Sequence, residues 1–250
     1  MNEEEKLLIA KTQDLFRLCD KHCTAQFSFF LNEAEIALLK KEIGQRVGYN
    51  CHYFGGYNDA RRCMLGVFPE WCEPEDKSFP IKVIKIKKTF SKELSHRDYL
   101  GSVMANGITR EQVGDILVDD DVAYIFITAD MADFVCSGLS KIGNTGVKAT
   151  VEAVSEIVPP EQKFQIINTV CASQRLDAVV ASMLKLSRKD AAALIIGGSV
   201  SVNHLQVSDT SRTLKIDDVI SVKGHGRYIF HLIGGETRSQ RIHITVKKYI

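Results

Sequence analysis

All five prolines of this 250-residue chain lie in two short segments: Pro69, Pro74 and Pro80, then Pro159 and Pro160. Proline lacks a backbone N–H and fixes φ, so it interrupts helices and central strands. The stretches EPEDKSFP (73–80) and VPPEQK (158–163) therefore read as linkers. They divide the chain into an N-terminal α/β domain over 1–75, a middle domain over 80–157 and a C-terminal domain over 168–250. The length suits two or three domains, and the predicted class is α+β.

The first domain begins with a helix, on which Leu7, Leu8, Lys11, Leu15, Leu18 and Cys19 give an apolar stripe at helical spacing. A second helix is predicted after Asn32, with Glu33 and Glu35 in the turn where the helix dipole favours acids. CHYFGGYNDARRCMLGVFP (51–69) reads as a strand, a glycine-containing loop and a second strand.

The middle domain alternates strand, helix, strand, strand, helix, strand: IKVIKIKK (81–88), SHRDYLGSVMANG (95–107), a hairpin within 113–128 turning at three aspartates, a helix over 129–143 and a strand over 146–154. This order is the ferredoxin-like pattern. RNA-recognition modules of that topology stack bases on aromatics of their central strands. Tyr124 and Phe126 alternate onto one strand face, but the basic-glycine-aromatic signature is missing, so both are assigned to the core. Lys82, Lys85, Lys87 and Lys88 either contact phosphate or form a solvated strand face.

In the last domain Ser173 is the expected cap of a helix with Leu176, Val179, Val180, Met183 and Leu184 on one face. Ser187 caps a second helix, Asp190 completes an approximate capping box, and Gly197 and Gly198 end the helix. Asn203–His204 reads as a tight hairpin turn, followed by a strand in 216–224 and a final pair meeting around GGETRSQ.

Charge is uneven. Residues 168–250 hold 12 Lys+Arg against 6 Asp+Glu, a balance of +6, while the whole chain carries +1. A basic final third suggests a polyanion partner. The acidic start MNEEEK is no export signal, and the longest uncharged run (191–208) is too polar to span a bilayer. A cytoplasmic protein with free thiols at its seven cysteines and no membrane partner is expected.

Catalytic, metal and cofactor patterns are not found, so no catalytic residue, metal site or cofactor is assigned. GLSKIGNT (138–145) has the glycine spacing of a phosphate loop, but Asn144 stands where lysine is needed and the stretch runs from helix into strand. Cys19, His22 and Cys23 lack a C-x-x-C partner, and the aspartates at 119–121 read as a solvated turn.

The strongest signal is LSRKDAAALIIGGSVSVN (186–203). Arg188 and Lys189 occupy the first turn of a helix, where positive dipole potential disfavours cations. Phosphate reverses that placement, because a helix N-terminus offers free N–H groups and positive potential. Arg175, Lys185, Arg188 and Lys189 would then form one basic corner across two helices. Otherwise Asp190 compensates the cations locally and they serve solubility. The corner predicts that Arg188→Glu with Lys189→Glu abolishes RNA binding without unfolding the protein.

Residues 175–222 resemble the small RNA-binding domain named after the small-subunit ribosomal protein S-four. The resemblance rests on the R-L-D opening, the S-R at the second helix, the G-x-V-x-V-N hairpin and the D-x-I-x-V strand. It implies two short helices against a small twisted sheet, with RNA contact by Arg175, Arg188 and Lys189. Asn203, Lys223 and Arg227 are further candidates. Gly198, Ser199 and Ser201 stand where family hairpins often carry cations, and His204 replaces the usual turn glycine. The whole chain is similar to the YlmH family, whose N-terminal domain carries a GGYNDARR-type loop and whose middle domain is RNA-recognition-like. That resemblance implies an S-four-type RNA-binding protein acting in ribosome-associated quality control. It implies structured RNA (rRNA or tRNA) and the large ribosomal subunit as partners, and a link to cell division.

Three readings follow. The first is a non-enzymatic RNA-binding factor. The second is an RNA-modifying enzyme of pseudouridine synthase or methyltransferase type, which lacks here a catalytic loop outside the RNA-binding domain or a glycine-rich cofactor turn. The third is a scaffold that binds protein partners through residues 1–157.

Overall fold

A computed structural model describes residues 2–44, 47–89, 94–119, 122–157, 159–160, 163–237 and 239–250. It divides into two compact units, residues 1–160 and 161–250. Asp120, Asp121, Val158, Glu161, Gln162 and Arg238, which belong to the expected aspartate turn, second linker and last turn, lie outside the described residues.

The first unit opens with α1 (Glu3–His22). Asn2 accepts the Glu5 N–H at 2.8 Å, and the Glu5 carboxylate accepts the Asn2 N–H at 2.8 Å. This reciprocal box satisfies two orphan donors of the first turn. The buried line runs through Thr12, Phe16 and Cys19, with Leu8 and Leu15 partly buried beside it. Leu7 and Leu18 face solvent instead, contrary to the expected stripe. The cause is Thr12: its hydroxyl donates to the Leu8 carbonyl at 2.8 Å. A residue that reads as polar therefore lies in the core, and the stripe is rotated.

A short β1 (Gln26–Phe27) follows, then α2 (Glu33–Glu42), with Asn32 and Glu35 forming a second capping box. The antiparallel strands β2 (Tyr49–Phe54) and β3 (Met64–Pro69) complete a three-stranded sheet of order β1-β3-β2. Every residue of β3 is buried, because both faces are covered. Leu65 and Val67 pack with Phe16, Leu31 and Leu39 towards the helices, and Met64 and Phe68 point the other way.

The second half of this unit runs β4 (Ile81–Lys88), α3 (His96–Met104), β5 (Val113–Val118), β6 (Val122–Thr128), α4 (Ala129–Gly138), β7 (Lys141–Ile142) and β8 (Thr145–Glu152). The sheet order β5-β6-β4-β8-β7 is antiparallel throughout and has the ferredoxin-like arrangement, with β7 as an added edge. Ile84, Ile86, Ile125 and Ile127 pack beneath Tyr99, Val103, Ala132 and Val135 of the helices. The alternate residues Val83 and Phe126, paired across the strands, point to the opposite face.

That opposite face meets the N-terminal sheet. Phe30, Met64 and Phe68 share a core with Phe79, Ile81, Val83 and Phe126. The unit is thus layered helix, sheet, sheet, helix. Phe79, at the end of the proline-rich segment 73–80, and Ile81, the first residue of β4, belong to this inter-sheet core.

The second unit contains β9 (Phe164–Cys171), α5 (Leu176–Leu184), α6 (Arg188–Ile196), β10 (Val200–Val202), β11 (Leu205–Gln206), β12 (Val219–Val222), β13 (Gly226–Glu236) and β14 (Ile242–Tyr249). The strands form one six-stranded antiparallel sheet of order β11-β10-β12-β13-β14-β9. Leu176, Val179, Val180 and Met183 of α5 and Ala191 and Ile195 of α6 pack on one sheet face, against Ile220, Phe230, Ile244 and Val246. Asn203 and His204 both have positive φ, +50° and +68°, as a two-residue hairpin turn with the strand twist requires.

Candidate nucleic-acid interface

The N-terminus of α5 is closed by the chain itself. Its cap is Arg175, two residues later than expected, and the Ser173 hydroxyl lies 3.5 Å from the Arg175 N–H. The next N–H groups are already taken: Leu176 donates to the Arg212 carbonyl at 2.8 Å and Asp177 to that of Thr210 at 3.1 Å. The loop at 210–212 therefore does what a capping side chain usually does, and this helix end offers no anion site.

The N-terminus of α6 is different. Ser187 caps it by accepting the Asp190 N–H at 3.1 Å, and its hydroxyl donates to the Asp190 carboxylate at 2.6 Å. Asp190 thus engages the cap hydroxyl rather than the cap N–H of a full box. The N–H groups of Arg188 and Lys189 find no acceptor among the described residues. Two backbone donors and the positive end of the helix dipole face outward there.

Arg188 is balanced mainly across the helix pair. Its guanidinium lies 3.2 Å from Asp177 on α5. Asp177 also accepts two bonds from Arg175, Nε and Nη2 at 3.1 Å each, and one from the Ala178 N–H at 2.9 Å. Burial pushes the Asp177 carboxyl up, but the Arg175 bonds and the nearby Arg188 charge outweigh it and hold the group below its ordinary value. One buried carboxylate thus positions two arginines whose side chains remain about half exposed, 41% and 55%. The surplus of one positive charge is fixed in place, with Lys189 exposed beside it.

The remaining sequence candidates are distributed more widely. Lys185 is the C-cap of α5, in the left-handed region at φ +56°. It stands at the opposite end of that helix from Arg175, roughly 15 Å away along the axis by helical rise. Asn203 is committed to its own turn: its amide donates to Asp218 at 2.8 Å and its oxygen accepts the Val219 N–H at 2.9 Å. Lys223 is exposed just after β12. Arg227 lies on the sheet face away from the helices, 5.7 Å over the Tyr249 ring. The structure thus brings Arg175 and Arg188 together, keeps Lys189 beside them and separates the rest. Sequence reasoning missed Asp177 as the anchor, although the R-L-D motif contains it.

In the first unit, Phe126 is fully buried between the sheets, so no base stacks on it. Tyr124 stays partly exposed with Lys85 5.9 Å above its ring, and Lys85 pairs with Glu152 at 3.2 Å. The GGYNDARR loop clasps the two sheets. Asp115 of β5 accepts from the Tyr57 hydroxyl at 2.8 Å and the Arg61 N–H at 2.7 Å. Arg62 donates to the carbonyls of Phe30 and Val113, both at 2.9 Å. Arg110 beside it is pushed down to about 10 by burial and then by the Arg62 charge. Gly56 sits at φ +103°, and a Cβ there would lie 2.3 Å from the Phe126 ring; only glycine permits that approach.

Comparison with known proteins agrees with this geometry. A family model described as "Putative RNA-binding domain in YlmH" matches residues 74–156, and the S4 domain matches residues 174–220, which include the α5–α6 corner. Both matches are consistent with the YlmH family, to which this chain is similar. A curated relative from Bacillus subtilis (strain 168), named "Ribosome-associated protein quality control protein P2", is 28% identical over 247 residues, 98% of this chain and 96% of its own. A solved structure, "Cell division protein ylmH from Streptococcus pneumoniae", superposes with a TM-score of 0.54 at 23% identity. It covers 63% of this chain and 96% of its own, and it shows a shared fold.

Proposed function

We propose that this chain is a non-enzymatic RNA-binding factor that binds the large ribosomal subunit together with tRNA, in the cytoplasm, in ribosome-associated quality control. One observation carries the reading. At the start of α6, two unbonded N–H groups, two arginines held by Asp177 and the exposed Lys189 converge on one exposed corner. Such a corner suits a phosphate backbone, which is bound by charge and by helix N-termini. The S4 match over the corner and the name of the Bacillus relative support the choice of RNA and ribosome. The link to cell division belongs to the same proposal, as a consequence of that binding.

The test is cosedimentation of the protein with ribosomal subunits, with and without bound tRNA, over a salt series. Salt-sensitive binding to the large subunit, strengthened by tRNA and weakened by Arg188→Gln with Lys189→Glu, is the expected result. Absence of binding at low salt overturns the proposal. Glutamine replaces the glutamate expected from sequence at 188, because a carboxylate there would face Asp177.

A further inference from the structure

The six-stranded sheet has a second face. The helices α5 and α6 cover the side of Ile167, Ile244, Val246 and Phe230. Pleating turns the alternate residues to the other side: Phe164 and Ile166 of β9, Lys247 and Tyr249 of β14, and Arg227 and Ile229 of β13. Ile166 is 51% exposed there, and Leu232 on β13 is 52% exposed.

This face has a definite chemistry. Phe164 and Tyr249 are register partners on adjacent strands, with ring centroids 5.0 Å apart at 58°. Each ring has a cation near it: Lys247 lies 5.8 Å from the Phe164 centroid, and Arg227 lies 5.7 Å from that of Tyr249. The strands β9, β13 and β14 together contain one acidic residue, Glu236 at the far end of β13. All four ring and cation residues lie outside the matched S4 segment, 174–220. They also lie on the opposite side of the sheet from the helix pair.

We propose that this outer face is a second RNA contact, one that takes unpaired nucleotides: bases stack on Phe164 and Tyr249, and Lys247 and Arg227 hold the adjoining phosphates. Aromatic rings interleaved with cations bind single strands in this way because every base has a π-face and every linkage a charge. Apolar residues alone would suit a protein as well, but a face that carries Lys247 and Arg227, on strands with a single distant acid, complements a polyanion. The α6 corner grips backbone, whereas this face would select RNA whose bases are free. The inference rests on the RNA-binding reading above and adds a site and a substrate form to it.

The experiment uses the full chain carrying Trp71→Phe and Phe164→Trp. Trp71 is the only tryptophan and is 75% exposed, so its removal leaves one reporter on the face. Emission is followed while a short oligouridylate, or an RNA hairpin with or without a single-stranded tail, is added. The expected result is quenching by the oligouridylate and the tailed hairpin, and little by the blunt hairpin. Arg227→Gln with Lys247→Gln should weaken oligouridylate binding on the order of tenfold, and Arg188→Gln with Lys189→Glu should leave the quenching in place.

If no RNA quenches the reporter while the hairpin is still bound through Arg188 and Lys189, the outer-face proposal fails and the RNA-binding reading stands. If neither quenching nor hairpin binding is seen, both fail. A reporter that responds to the RNA-free protein fraction of large subunits and not to RNA assigns the face to a protein and overturns the proposal.

Discussion

Arg188 on α6 reaches the Asp177 carboxylate on α5 at 3.2 Å, and Arg175 reaches the same carboxylate from the other side at 3.1 Å. Two cations on different helices share one buried anion, so a helix start that looks electrostatically misplaced along the sequence is balanced in space. Removing the anion should release both. Asp177→Ala is expected to cost about 1–2 kcal/mol in denaturant unfolding of the second unit. That is less than for a fully buried pair, because the arginines remain half exposed and regain water. RNA affinity should fall as well, since both guanidiniums lose their fixed orientation.

The same carboxylate sets a pH dependence. Its folded-state pKa is held below the ordinary carboxylate value, so its stabilising effect is full above the unfolded value, about 3.9. It is lost as pH falls through the depressed folded value. Acid unfolding of the native chain should therefore be steeper below about pH 4 than that of Asp177→Asn, measured by circular dichroism. Identical acid profiles would refute the role given to Asp177.

Lys189→Glu alone separates binding from folding. Lys189 is exposed, and an acid in the first helical turn is favourable by roughly 0.3–1 kcal/mol. Thermal stability should hold or rise slightly while RNA affinity drops. The slope of log affinity against log salt should decrease by about one for each phosphate that is no longer neutralised.

Gly56 and Asp115 test the clasp between the two sheets of the first unit. Gly56→Ala places a methyl 2.3 Å from the Phe126 ring at a left-handed φ, and should cost about 3 kcal/mol from strain and overpacking together. Asp115→Ala strands the Tyr57 hydroxyl and the Arg61 N–H, at about 1–3 kcal/mol for each group left unsatisfied. Calorimetry should show both losses in the transition of the first unit, leaving that of the second in place.

Thiol reactivity should follow exposure and pKa together. Cys23 and Cys51 are exposed, whereas Cys19 and Cys171 are buried. Cys63 is partly open, but burial and then the nearby Asp115 push its thiol up to about 11, so thiolate is scarce at pH 8. Under a thiol reagent, mass spectrometry should find labels at Cys23 and Cys51 before Cys63, Cys19 or Cys171.

Much of this architecture was legible in the sequence, because local chemistry decides it. The helix start after Asn32, the Ser187 cap, the β-α-β-β-α-β order and the Asn203–His204 turn each depend on residues a few positions apart. What escaped depends on distant partners. The buried side of α1 turns on a threonine whose hydroxyl is hidden by its own helix. The start of α5 is capped by carbonyls from 210–212, more than thirty residues downstream. At the candidate site, the cations of α6 were visible but Asp177 was not, since a carboxylate eleven residues away on another helix leaves no spacing signature. The outer-face rings come from strands at opposite ends of the second unit, and only the pairing of Phe164 with Tyr249 joins them.

The shared core of Phe30, Met64, Phe68, Val83 and Phe126 bears on how the protein can be cut. A fragment beginning at residue 80 would leave Val83 and Phe126 without Phe30, Met64 and Phe68 against them. It would present a sticky aromatic surface to water, and its tendency to self-associate would imitate ligand binding in any assay that follows mass or light scattering. The first 160 residues are the smallest piece of this half of the chain whose behaviour in a tube reports on the protein rather than on the cut.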